Sequence, residues 1–150
     1  MTETVPEIDH AIVAEIVAEI VIDTSALMAI MLREPTGPWL LERLSLVVEP
    51  LLAAPTALEF GMVLEARVPG SQGMAARAVR DGGFTVVDFT ADLADRGLHA
   101  WRRFGKGRHP AALNFGDCCT YALAEQKMLP ILCVGNDFAR TDLPVIRPPD

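Results

Sequence analysis

Apolar residues gather along this chain in short β-branched runs, separated by longer stretches with helical spacing. Ile20-Val21-Ile22 is the first run, and it leads straight into Asp23-Thr24-Ser25. Leu51-Leu52-Ala53-Ala54-Pro55, Phe84-Thr85-Val86-Val87-Asp88-Phe89 and Pro130-Ile131-Leu132-Cys133-Val134 read as further short strands, and Pro144-Val145-Ile146-Arg147 as an edge strand. Between them the pattern predicts helices from Ala26 toward Arg33, from near Thr36 with Pro38 in the first turn, over 56–66, over 74–79, from Thr90 to near Phe104, and from Asn114 onward. Strands alternating with helices imply an α/β domain around a parallel, doubly wound sheet. Ligands of such sheets bind beyond the carboxyl ends of the strands, which is where Asp23 falls.

The 150 residues suit one domain with a full core. Residues 1–19 read as an N-terminal extension carrying no nameable chemistry, and 20–150 as the domain. Glu15, Glu19 and Asp23 interrupt the first apolar region, so no membrane span is expected, and the acidic opening does not suit a secretory signal. A cytoplasmic location follows as the expectation. Cys118, Cys119 and Cys133 are odd in number and have no metal-ligand spacing, which fits reduced core thiols. The net charge of −7 excludes broad polyanion binding through overall charge, so a nucleic acid would have to be held by a local basic patch or by bound cations. Such a patch exists: Arg102, Arg103, Lys106, Arg108 and His109 cluster among glycines and a proline. It reads either as a solvated loop or as a contact for phosphates.

Carboxylates occupy a recurrent position. Asp23 and Asp137 follow strands, while Glu59 and Asp117 lie in the first turns of helices. Each has an ordinary explanation. Asp23 or Ser25 can cap a helix, Thr56 and Glu59 have the spacing of a capping box, and Asp117 suits the positive end of the helix dipole after Asn114. Glu59 also shares a helical stripe with Met62, Val63 and Ala66. Gathered at one sheet edge, however, the four acids would repel unless a cation sat among them. An all-carboxylate set suits Mg²⁺, with Mn²⁺ as substitute, whereas zinc would call for His or Cys. Such an ion serves phosphoryl chemistry, and no phosphate-binding Gly-rich loop, dinucleotide fingerprint or nucleophile elbow competes.

Ile22-Asp23-Thr24-Ser25-Ala26, the isolated Glu59, Asn114-Phe115-Gly116-Asp117-Cys118 with Tyr121-Ala122-Leu123-Ala124, and Gly135-Asn136-Asp137-Phe138 with Thr141-Asp142 together resemble the PIN domain of VapC-type toxins. The resemblance covers residues 20–148. It implies a three-layer α/β/α domain with a mostly parallel sheet, acting as a Mg²⁺-dependent endoribonuclease that leaves a 5′-phosphate and a 3′-hydroxyl. It further implies a homodimer neutralised by a cognate antitoxin. Asp23 and Asp117 match the principal metal-binding acids and Glu59 the second acid of the motif. Asp137 matches the fourth, with Asn136 and Asp142 as neighbouring alternatives. Lys106, Arg108 and Arg103 would hold the RNA backbone. The rival readings are an inactive PIN-like module that binds RNA or protein, and an α/β phosphatase. The latter lacks the second Asp that the haloacid dehalogenase pattern needs after Asp23.

Overall fold

In the computed structural model, which describes residues 17–150, the first strand, β1 (Val17–Ile22), runs straight into Asp23 as expected but begins three residues earlier. The expected extension therefore yields Val17, Ala18 and Glu19 to the sheet, and the rest of it lies outside the described residues. Then come α1 (Thr24–Met31), α2 (Gly37–Ser45), β2 (Val47–Ala53), α3 (Ala54–Arg67), α4 (Met74–Asp81), β3 (Thr85–Val87), α5 (Ala91–Phe104), α6 (Phe115–Lys127), β4 (Ile131–Leu132), a 3₁₀ turn (Phe138–Arg140) and β5 (Val145–Ile146).

All pairings among these strands are parallel, and the strand order is β3-β2-β1-β4-β5. The order reverses beside β1, because α1 and α2 carry the chain to β2 on one side while α5 and α6 return it to β4 on the other. This reversal opens a crevice at the carboxyl end of β1. Asp23 therefore stands at the switch point. Its backbone is pinned there by the N–H bond to Leu132 O, 3.0 Å.

Alternation along the strands feeds two cores. Val21, Leu51, Ala53 and Ile131 face Leu93, Ala100 and Phe104 of α5 and Tyr121 and Ala122 of α6. Ile20, Ile22, Leu52 and Leu132 face α1 to α4 through Leu27, Leu40, Phe60 and Ala75. Both sheet faces are thus covered by helices, giving the three-layer α/β/α arrangement. Cys118, Cys119 and Cys133 are buried free thiols, as expected; burial first of all pushes them to about 11, 11 and 12, so they stay protonated.

The boundaries differ where local sequence misleads. Pro50 hides the start of β2, which begins at Val47. The proline is tolerated because β2 acquires its second neighbour only at Leu51, opposite Thr85. The run 84–89 contributes only three residues to β3, a short edge strand. Asp137 does not follow β4 directly: residues 133–136 intervene, and it precedes the 3₁₀ turn. Arg102 and Arg103 lie on the last turn of α5 and not in a loop.

Candidate active site

The carboxylates at the crevice are built into their elements in different ways. Asp23 caps α1: its Oδ2 accepts from Ser25 N at 3.0 Å, and its Oδ1 accepts from Thr120 Oγ1 at 3.1 Å. Ser25 Oγ in turn accepts from Val134 N at 3.0 Å, tying the start of α1 to the segment after β4. Asp117 forms the reciprocal capping box of α6, accepting from Asn114 N at 3.0 Å while Asn114 Oδ1 accepts from Asp117 N at 2.9 Å.

Glu59 has no such duty. The expected Thr56 cap does not form, because Pro55 lets α3 start earlier, at Ala54, with no side-chain cap. Thr56 is instead buried within the first turn, its Oγ1 3.2 Å from Thr120 Oγ1. The buried stripe of α3 is Thr56, Phe60 and Leu64, not the row through Met62 and Ala66. Glu59 lies beside that stripe, and its Oε1 accepts from Thr24 Oγ1 at 2.5 Å. Its carboxylate fills the space that a Cβ on Gly116 would take, so only a glycine permits Glu59 to lie against the first turn of α6.

These placements bring the acids into electrostatic contact. Burial pushes the Asp117 carboxyl up to about 7 against the backbone hydrogen bond from Asn114, and the charges of Asp23, Asp137 and Glu59 add to the rise. Burial also raises Asp23, against the hydrogen bonds from Ser25 and Thr120. Asp137 is exposed and makes no side-chain cap. Asp142 is engaged elsewhere: Tyr121 Oη donates to its Oδ1 at 2.5 Å, and Arg103 pairs with its Oδ2 at 3.1 Å. Burial pushes Asp142 up, but these two partners outweigh it and hold its carboxyl below the ordinary range. Among the described residues no three His, Cys, Asp or Glu side chains close into a metal cage. Glu59 Oε2 and Asp117 Oδ1 have no acceptor role among the described hydrogen bonds.

The PIN-domain family model matches residues 20–143, which span all four acids. The chain belongs to the PIN-domain family. Ribonuclease VapC36 of Mycobacterium tuberculosis is 43% identical over 125 residues, covering 82% of this chain and 90% of that protein. The Ribonuclease VapC of Mycolicibacterium smegmatis is 42% identical over 130 residues, covering 84% and 98%. Among solved structures, M. tuberculosis VapC20, described as a sarcin-ricin loop cleaving toxin, superposes with a TM-score of 0.70 at 22% identity, over 86% of this chain and 99% of that one. That likeness supports the fold.

In this PIN domain the basic segment is more ordered than a solvated loop. Lys106 N donates to Leu113 O and Leu113 N to Phe104 O, closing the loop on itself. The His109 ring meets Phe104 edge-on at 5.1 Å, and Ala111 N donates to His109 Nδ1. Arg103 is committed to Asp142 and to the Phe104 ring at 4.6 Å, whereas Lys106 and Arg108 form no ion pair among the described residues. Arg108 lies over the Trp101 ring at 4.1 Å.

Thr24, Thr120 and Gly116 carry no site role in the sequence pattern, and Thr56 was expected only as a helix cap. A signal existed for two of them, since Thr120 lies one turn after Asp117 on the same helix face and Gly116 adjoins it. The Tyr121–Asp142–Arg103 linkage also gives a stability test. Tyr121→Phe keeps the buried ring and loses the hydroxyl bond, so the protein should lose on the order of 1 kcal/mol. Chemical denaturation checks this, and an unchanged midpoint would deny the linkage any share in stability.

Proposed function

We propose that this PIN domain is an endoribonuclease toxin that hydrolyses RNA phosphodiester bonds with Mg²⁺, or Mn²⁺ in its place. The observation that carries the reading is the packing of Glu59 against Gly116, beside Asp117, with Asp23 held by Thr120 of the same helix at the switch point of the sheet, and the charges of Asp23, Asp137 and Glu59 add to the rise of the Asp117 carboxyl. The relatives named as ribonucleases point to the same substrate. The donors suit the ion: they are all oxygen, and Mg²⁺ typically keeps several waters and takes one or two carboxylates directly, so the others would reach it through those waters. Asp23, Glu59, Asp117 and Asp137 would hold it. Bound there, Mg²⁺ supplies Lewis-acid polarisation of the phosphoryl oxygen and compensates the charge of an in-line displacement.

The remaining work falls to the chain's own groups. Thr120 and Ser25 orient Asp23, and Thr24 orients Glu59. A carboxylate oxygen without a protein donor, Glu59 Oε2 or Asp117 Oδ1, can orient the attacking water. Lys106 and Arg108 grip the RNA backbone, and Arg103 contributes through the placement of α5. A solved toxin–antitoxin complex from Klebsiella pneumoniae has the same fold, with a TM-score of 0.65 at 17% identity over 85% of this chain and 95% of that one. In line with it, this chain would pair with a cognate antitoxin. Exposed Leu58, Met62 and Val86 around α3 and β3 offer an apolar face for a second copy in a homodimer.

Incubating the purified chain with total RNA, with Mg²⁺ or with chelator after removal of bound metal, tests the reading. Cleavage should require the ion, and full activity in chelator would sink the metal site. RNA that is bound and never cut would favour the inactive module. Lys106→Ala combined with Arg108→Ala should weaken RNA binding and flatten its dependence on salt by up to about two phosphate contacts. An unchanged slope across a salt series would take the loop out of the interface.

A further inference from the structure

Beside the acids, the first turn of α6 and the second half of α5 border a cleft of about 440 Å³ that no step above uses. Its lining includes Leu98, Trp101, Lys106, Asn114, Phe115 and Cys118. Phe115 stands two residues before Asp117 and is 82% exposed, and Trp101 is 39% exposed. With half-open Leu98, these rings make a contiguous apolar patch along the cleft, next to the turn that carries a site acid, and such patches mark interaction sites. The charge at this cleft is the reverse of the chain's net −7: Lys106 lines it, and Arg108 lies over the Trp101 ring at 4.1 Å.

Aromatic faces next to unpaired cations match one ligand chemistry well. A nucleobase offers a π-face to the rings while its phosphate meets the cations, and stacking of this kind tolerates any base. A protein partner reaching for the carboxylates would bring positive charge toward Lys106 and Arg108, which disfavours it here.

We propose that this cleft receives an unstacked base of the RNA strand next to the scissile phosphate, with Phe115 and Trp101 as stacking faces and Lys106 on the adjoining phosphate. The proposal rests on the ribonuclease reading and adds to it the residues that position the strand. Phe115 and Trp101 are positioning residues, since neither touches the reacting atoms.

The test uses a short single-stranded RNA of mixed sequence that contains a mapped cleavage site, and versions with an abasic nucleotide on either side of it. One abasic position should lower the kcat/KM of the wild type by roughly tenfold or more. Phe115→Ala should lower it as much on intact RNA and should lose nothing further on the abasic strand. Phe115→Trp should restore the rate and Phe115→Leu should not, and all variants should melt with the wild type because the ring is exposed. In chelator, with Trp39→Phe leaving Trp101 as the single tryptophan and excitation chosen to spare Tyr121, intact RNA should quench the emission and abasic RNA should quench it less. Wild-type rates for Phe115→Ala, or rescue by Leu equal to that by Trp, would overturn the proposal, the latter by pointing to an apolar anchor of a protein partner. If the wild type cuts no RNA but the quench still depends on the base and on Phe115, the cleft stands and the ribonuclease reading falls. If the quench is absent, the cleft falls.

Discussion

Asp117→Asn is expected to abolish RNA cleavage while making the metal-free protein more stable above neutral pH. The folded-state value of this carboxyl, about 7, lies above its ordinary 3.8. Between those limits the folded chain binds more protons than the unfolded one, so stability falls as the pH rises through the window. Asparagine keeps the shape and the acceptor that Asn114 N needs, and it removes the titration. Near about pH 4 the two proteins should therefore melt within a few tenths of a kcal/mol of each other. Near about pH 8 the variant should lead by on the order of 2 kcal/mol, a figure discounted for the solvent around a half-buried group. Added Mg²⁺ should then reverse the order, because it stabilises only the chain that binds it. Cleavage should drop by at least about 100-fold, since even groups one step removed from a metal ion cost about 10- to 100-fold. Melts at both pH values, with and without Mg²⁺, together with a cleavage assay, decide the matter. A variant that melts lower at every pH and cuts RNA normally would leave Asp117 a helix cap and nothing more.

That contest between cap and site was already visible in the residues, and the structure answers its cap half differently for each acid. For Asp23 and Asp117 the cap forms and does not compete with a site role, because a carboxylate has two oxygens and the cap uses one. For Glu59 the cap fails, since Pro55 moves the start of α3 ahead of Thr56. The strand-to-acid pattern and the alternation of elements were legible because parallel strands, buried on both faces, write continuous apolar runs. What could not be read was the strand order, which depends on the long return through α5 and α6. The packing of Glu59 over Gly116 was equally hidden, as was the capture of Asp142 by Tyr121 and Arg103. These are contacts between residues far apart in sequence, and a pattern along the chain carries no record of them. The capture of Asp142 leaves Asp137 as the acid whose charge reaches Asp117 from this end of the sheet.

The close approach at Gly116 yields the sharpest separation of activity from stability. Gly116→Ala should leave stability within about 1 kcal/mol of the wild type, because alanine is the better helix former by roughly that amount. That gain offsets the cost of displacing one flexible side chain. Activity should not survive equally well. The new methyl group would overlap the Glu59 carboxylate, and Glu59 must swing out, breaking the hydrogen bond from Thr24 Oγ1 and leaving the acid cluster. Cleavage should fall by about as much as it does in Glu59→Ala. The double variant makes the argument specific: with the Glu59 side chain removed, Gly116→Ala has nothing to collide with and should cause no further loss, a strongly non-additive cycle. The asymmetry should reach Asp117 as well, whose raised carboxyl owes part of its rise to the Glu59 charge. Its titration, followed by NMR on the metal-free protein, should move to lower pH in both single variants. If the two substitutions instead multiply in their effects on cleavage, Gly116 acts through the helix backbone, and the placement of Glu59 against α6 has no part in the chemistry.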